Sequence, residues 1–328
     1  MKIQKPDHHV LWPKDFGRRF LVSVDTEEEF DWDAAFERGG HTTITVTMLE
    51  KFQEFVEKYG IKPVYFVDYA IIQDDTATAF LKTVAEQQSA TIGVHLHPWV
   101  NPPFDERVND HNSFAGNLPK ELEEEKLVTL RDAIRDKIGV TPNTYRAGRY
   151  GIGPNTVEIL LKHGFALDSS IRPRFDYSGE GGPDFLSVDS RPYWWGKDER
   201  LLEVPLTTVY SGIFRKQHRL AAAIMEKSPL ANALLSRSKM LERIPLTPEG
   251  ISARETKEAI DVALDDDLRL LVFSFHSPSL SPGHTPYVRD QNELDGFYDW
   301  WREVLDHLET RNVKPVDIDE LLQAASGS

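Results

Sequence analysis

The chain has 328 residues, 40% of them hydrophobic and 28% charged, which is the range of a compact globular protein and excludes wholesale disorder. A formal net charge of -15 argues against a general nucleic-acid binder, whose surface must present Lys and Arg to phosphate. With no cysteine, disulfide scaffolds and thiolate zinc sites are excluded, so any metal must be held by His, Asp or Glu.

The N-terminus, MKIQKPDHHVLWPKDFGRRF, lacks the unbroken apolar core of a signal peptide, and no later stretch approaches a membrane span. The expectation is a cytoplasmic protein with neither a nucleic-acid nor a membrane partner, its oligomeric state open. The length suits one domain over 1–328.

In chain order, Phe20-Leu21-Val22-Ser23-Val24 is β-rich and runs into Asp25, after which acidic residues and Gly39-Gly40 mark a loop. A helical pattern over 46–59 and the apolar run 64–67 complete a strand–helix–strand unit. The alternation continues with a helix over 76–88, a strand ending at His97, a helix over 119–137 and a strand over 144–147. Next come a helix over 154–163, a strand over 165–168 and a short apolar piece over 201–204. A helix over 253–264 leads to the strand 270–275, which ends at His276; a last helix covers 292–308, and 313–316 can supply a closing strand. Such alternation predicts an α/β protein with a parallel sheet or barrel. Residues 172–248, poorer in regular pattern, read as an inserted excursion, and 324–328 as a frayed tail.

Asp25, His97 and His276 all fall at the C-terminal ends of predicted strands, the face that carries the active site in β/α barrels. His95 and His97 are one residue apart on a strand, so both imidazoles share one face and can grip one cation; the plainer reading is a pair of hydrogen-bonded histidines. Asp25-Thr26-Glu27-Glu28-Glu29 places four carboxylates in five positions, costly to bury without a cation or an arginine nearby. Asp25 and Glu27 alternate onto one side, although whether Glu27 or Glu28 is the acidic ligand stays open. Two imidazoles and a carboxylate suit zinc, with nickel, cobalt, manganese or iron compatible with the same donors. Trp99, Tyr150, Trp194 and Trp195 are candidate stacking surfaces for a sugar, or simply core.

In order and chemical type these motifs resemble those of the polysaccharide deacetylase (carbohydrate esterase) family. The resemblance spans about 20–322 apart from the 172–248 excursion, and implies a distorted (β/α)7-type, NodB-like barrel. Val24-Asp25-Thr26-Glu27 matches the acidic first motif, implying Asp25 as base and Glu27 as metal ligand, although the family's two acids are usually adjacent. Ile92-Gly93-Val94-His95-Leu96-His97-Pro98-Trp99 stands where the family has two histidines four residues apart; Trp99 takes the fourth place, so His97 must substitute. Tyr145-Arg146-Ala147-Gly148-Arg149-Tyr150 approximates the arginine motif without its prolines, implying that Arg146 orients the base. Phe165-Ala166-Leu167-Asp168-Ser169-Ser170 looks like the later strand motif supporting the site, and Phe273-Ser274-Phe275-His276 like the last, whose histidine is the general acid.

The reaction implied is metal-dependent deacylation of an N- or O-acyl group on a saccharide or oligosaccharide. The alternatives are an amidase of the same fold acting on a small non-sugar amide and a catalytically silent carbohydrate-binding relative. An open aromatic groove would favour a glycan, and a closed pocket containing Arg149 a small anion. An amidohydrolase barrel also uses His-x-His, but usually after its first strand, whereas here two βα units precede it.

Overall fold

The structure, a computed structural model, describes residues 8–31, 34–196, 200–212 and 242–327. Its centre is strand β1 (Arg18–Thr26), whose last seven residues are all buried. A strand so apolar on both faces must be covered on both, which a parallel sheet flanked by helices achieves.

Strands β2 (Val64–Val67), β3 (Thr91–Leu96), β4 (Thr144–Ala147) and β5 (Leu167–Asp168) follow β1 across the sheet. Beyond β5 lie β6 (Tyr193–Trp195) and β7 (Leu201–Glu203), while β8 (Thr208–Ser211) and β9 (Glu242–Pro245) form a separate antiparallel pair. Strand β10 (Leu270–His276) returns to the other side of β1. The order β10-β1-β2-β3-β4-β5-β7 is parallel throughout, with β6 added antiparallel at its edge. This curled half-barrel of seven parallel strands is the (β/α)7 architecture expected from the sequence.

The curl is bridged by irregular chain. Val204 N donates to Asp168 O at 2.8 Å, Thr207 N to Val272 O at 3.2 Å and Ser274 N to Leu246 O at 3.3 Å, so the segment after β7 spans from β5 to β10. Strand β11 (Val313–Pro315) does not close the barrel, as its position at the chain end suggested. It pairs with Arg18–Phe20, on a stretch of β1 that β2, paired only from Ser23 onward, leaves uncovered. The 172–248 stretch contributes β6 to β9, including the seventh barrel strand; its residues 197–199 and 213–241 lie outside the described residues.

The described α-helices are α1 (Leu49–Glu57), α2 (Tyr69–Gln73), α3 (Asp75–Glu86), α4 (Lys120–Ile138), α5 (Thr156–Lys162), α6 (Ala253–Asp265), α7 (Gln291–Thr310) and α8 (Ile318–Ser326). Their ends follow local chemistry: Asp74 caps α3 through the Thr76 and Ala77 amides, Ser252 and Glu255 form a capping box on α6, and Gly139 at φ 91° ends α4. The apolar face of α7 brings Trp301 against Phe52 of α1 and Phe275 of β10, with ring centroids 6.1 and 6.0 Å apart. That packing fixes β10 beside β1, and so the C-terminal ends of both strands.

Candidate active site

Parallel register delivers the site. Asp25 and His276 are Cα partners on β1 and β10, and His95 and Arg146 on β3 and β4, so side chains distant in sequence meet at one rim. Glu27, just past β1, places its Oε2 3.4 Å from His95 Nε2 and 3.5 Å from His97 Nε2. The three groups are almost completely buried.

This cluster fits a metal by its donor set and spacing. Bonds of about 2.0–2.1 Å at tetrahedral angles put neighbouring donors roughly 3.3 Å apart, close to the two separations seen. The remaining ring nitrogens are engaged in the manner of metal-binding histidines: His95 Nδ1 donates to Arg146 O at 3.1 Å, and His97 Nδ1 lies 2.9 Å from Glu28 Oε2. A carbonyl can only accept, which places the His95 proton on Nδ1 and leaves Nε2 with its lone pair. Burial holds both imidazoles below their ordinary value, His97 at about 4, so both are neutral near pH 7. Burial pushes Glu27 upward, the shift a cation would offset.

Glu28 turns away from the three-donor cluster. It accepts from Trp99 Nε1 at 2.8 Å and shares a hydrogen bond with Asp68, whose Oδ1 caps α2 through Ile71 N at 2.7 Å. Burial drives both carboxyls up, Glu28 to about 7, as expected where two acids share a proton. Trp99 stacks on His97 with centroids 4.3 Å apart. Gly148 closes the other side: a Cβ there would overlap the His97 ring and approach Leu96 O to 2.7 Å.

Asp25 is held by Arg146, which is fully buried and also donates to Ser169 O at 3.0 Å, Ser169 Oγ at 3.0 Å and Ser23 Oγ at 2.9 Å. Burial opposes ionisation of Asp25, but Arg146 and the nearby histidines outweigh it and keep the carboxyl below its usual range. Asp25 Oδ2 lies 3.9 Å from His276 Nε2. The other His276 nitrogen, Nδ1, meets Glu249 Oε2 at 2.8 Å, while Glu249 Oε1 accepts from His276 N at 3.0 Å and Ser279 Oγ at 2.6 Å. Burial disfavours the imidazolium, yet Glu249, Glu27 and Asp25 together raise His276 to about 10. One carboxylate is thus kept ionised and one imidazole protonated, 3.9 Å apart.

These groups floor a cavity of about 290 Å³, at the small end of ligand pockets. Its walls combine the aromatic rings of Phe30, Phe36, Trp99, Tyr150, Tyr177 and Tyr287 with the guanidinium groups of Arg149 and Arg172. Arg149 and Tyr150 reach it through consecutive left-handed backbone conformations, φ 54° and 59°, costing about 1–3 kcal/mol each for residues with a Cβ.

The six predicted site residues, Asp25, Glu27, His95, His97, Arg146 and His276, converge on this rim. Trp194 and Trp195 do not line the cavity: they lie on edge strand β6, where Trp195 Nε1 bonds Glu203 Oε2 at 3.2 Å. Asp168 shares a hydrogen bond with Glu203, and it is Ser169 of this motif that accepts hydrogen bonds from Arg146. Asp68, Glu249 and Arg172 were missed. Asp68 carried a signal, an acid directly after a strand and before a helix; Glu249, in irregular chain after β9, carried none.

No known family's sequence model matches the chain, and no curated protein matches it. Solved structures do. A Mycobacterium smegmatis protein assigned as a polysaccharide deacetylase superposes with a TM-score of 0.53 at 16% identity, covering 95% of this chain and 97% of its own. The 4-alpha-glucanotransferase of Thermococcus litoralis gives 0.54 at 12% identity over 94% of this chain, which spans only 40% of that enzyme. The fold is that of the polysaccharide deacetylases, as the sequence motifs implied.

Proposed function

We propose that this protein is a metal-dependent hydrolase that removes an acyl group from a nitrogen or oxygen of a saccharide. The observation that carries the reading is the Glu27–His95–His97 donor cluster beside the Asp25–His276 pair. The two solved structures described above are named for reactions on saccharides, which supports the substrate class.

Glu27, His95 and His97 would hold one divalent cation, with zinc the first candidate for this donor set. When bound, it would polarise the acyl oxygen and acidify a water molecule. Asp25, ionised beside Arg146, accepts the proton of the attacking water as its oxygen bonds to the acyl carbon. His276, kept charged by Glu249, donates its Nε2 proton to the amine or alcohol as the bond to the acyl carbon breaks. Arg146 stays charged throughout and fixes the carboxylate's position.

The first test is elemental analysis of the purified protein beside His95→Ala and His97→Ala, followed by acetate release from acetylated sugars and small amides. Near-stoichiometric metal lost in both variants, with metal-dependent release, is expected. No metal in any sample after supplying zinc, nickel or cobalt would overturn the proposal. The small cavity lends weight to the same chemistry on a small non-sugar amide, which the substrate panel separates.

A further inference from the structure

Arg172 is the cation in the cavity wall that the proposed reaction leaves unused. Its guanidinium lies 4.0 Å from the Phe175 centroid and 5.2 Å from that of Tyr150, so aromatic rings hold its plane. Nη1 donates to Tyr177 Oη at 3.1 Å, and among the described residues it forms no ion pair. Arg149 differs. Its guanidinium, 4.1 Å from the Phe114 centroid and 4.8 Å from that of Phe36, is already paired with the exposed carboxylate of Glu180. The wall therefore offers one uncompensated positive charge in a planar fork, with a second, partly neutralised one beside it.

A planar guanidinium laid on aromatic rings suits a carboxylate, whose two oxygens match the N–H fork. Asp25, Glu27 and Glu249 line the same cavity and repel an anionic group, so the arginines are the lining residues that attract one.

We propose that Arg172, assisted by Arg149, forms a carboxylate subsite, and that the substrate is a small acylated molecule, a sugar acid or an amino acid, bearing a free carboxylate. The proposal rests on the preceding reading for the cavity as the place where substrate binds and for the acyl group, while the carboxylate subsite is tested separately by binding.

The test pairs N-acetylated sugar acids and N-acetylated amino acids with their primary carboxamides. Acetate release by the zinc-loaded wild-type protein is measured on both, and binding of the same compounds by calorimetry. A tenfold to hundredfold advantage in kcat/KM for the carboxylates is expected, roughly the worth of a charged hydrogen bond. Arg172→Gln should erase that ratio and Arg172→Lys retain part of it, with thermal unfolding confirming that both variants fold. Equal rates on acid and carboxamide by the wild-type protein would overturn the subsite while leaving the hydrolase standing. Carboxylate binding lost in Arg172→Gln, without acetate release from any compound, would support the subsite and overturn the hydrolase. Neither binding nor preference in the wild-type protein would overturn the subsite, whatever the variants do.

Discussion

Asp25 and His276 are register partners on neighbouring parallel strands, and the Asp25 Oδ2 to His276 Nε2 distance is 3.9 Å. A carboxylate held ionised and an imidazole held protonated therefore face one space. Replacing His276 by Gln should lower kcat about 10²-fold or more while leaving metal content unchanged. Glu249→Gln should lower the pH at which His276 loses its proton, moving the alkaline limb of the pH–rate profile downward. A Glu249→Gln profile superimposable on the wild-type one would show that Glu249 does not set the charge of His276.

Arg146 is fully buried and paired with Asp25, and removing it would leave that carboxylate without its cation. Arg146→Met should destabilise the fold by about 3–5 kcal/mol, read from the urea midpoint at constant slope. A change below 1 kcal/mol would mean that water reaches Asp25 in the variant.

At Gly148 the constraint is steric, since a methyl group meets the His97 ring and the Leu96 carbonyl. Gly148→Ala should weaken metal binding by roughly tenfold to hundredfold in a chelator competition, with the circular dichroism spectrum preserved. Unchanged affinity would show that β4 can yield without moving His97.

The Asp168–Glu203 pair gives a pH dependence remote from catalysis. Both carboxyls are buried and pushed up, Asp168 to about 6 and Glu203 well above its ordinary value, largely by burial. In the unfolded chain both titrate near about 4. The folded state thus binds more protons above that pH, and the stability contributed falls as pH rises, through about 6 for Asp168 and on through the raised range of Glu203. Glu203→Gln removes one such proton, so its stability relative to the wild-type protein should climb between pH 4 and 8. A constant difference across that range would contradict the shift.

What could be read from the sequence follows from periodicity. A strand's repeat of two puts His95 and His97 on one face whatever surrounds them, and the apolar run before Asp25 placed that acid at a strand end. Glu249 could not be found this way, because it meets His276 through chain that departs from any repeat. The Tyr193–Trp195 strand shows the opposite failure: aromatic composition suggested a binding surface, but composition does not say which edge of the sheet a strand will occupy. The same holds for 313–316, whose pairing with the start of β1 depends on how far β2 extends along it.

The placement of β10 beside β1 also sets the order in which the two halves of the site can exist. Glu27, His95 and His97 lie in the first hundred or so residues of the chain, whereas β10 joins β1 through contacts such as Ser23 Oγ to Phe273 O, 250 positions apart. During synthesis these three donors leave the ribosome well before the strand bearing His276. The residues proposed to hold the metal are thus made before the one proposed to deliver the proton, and a polypeptide arrested before β10 would lack His276 altogether.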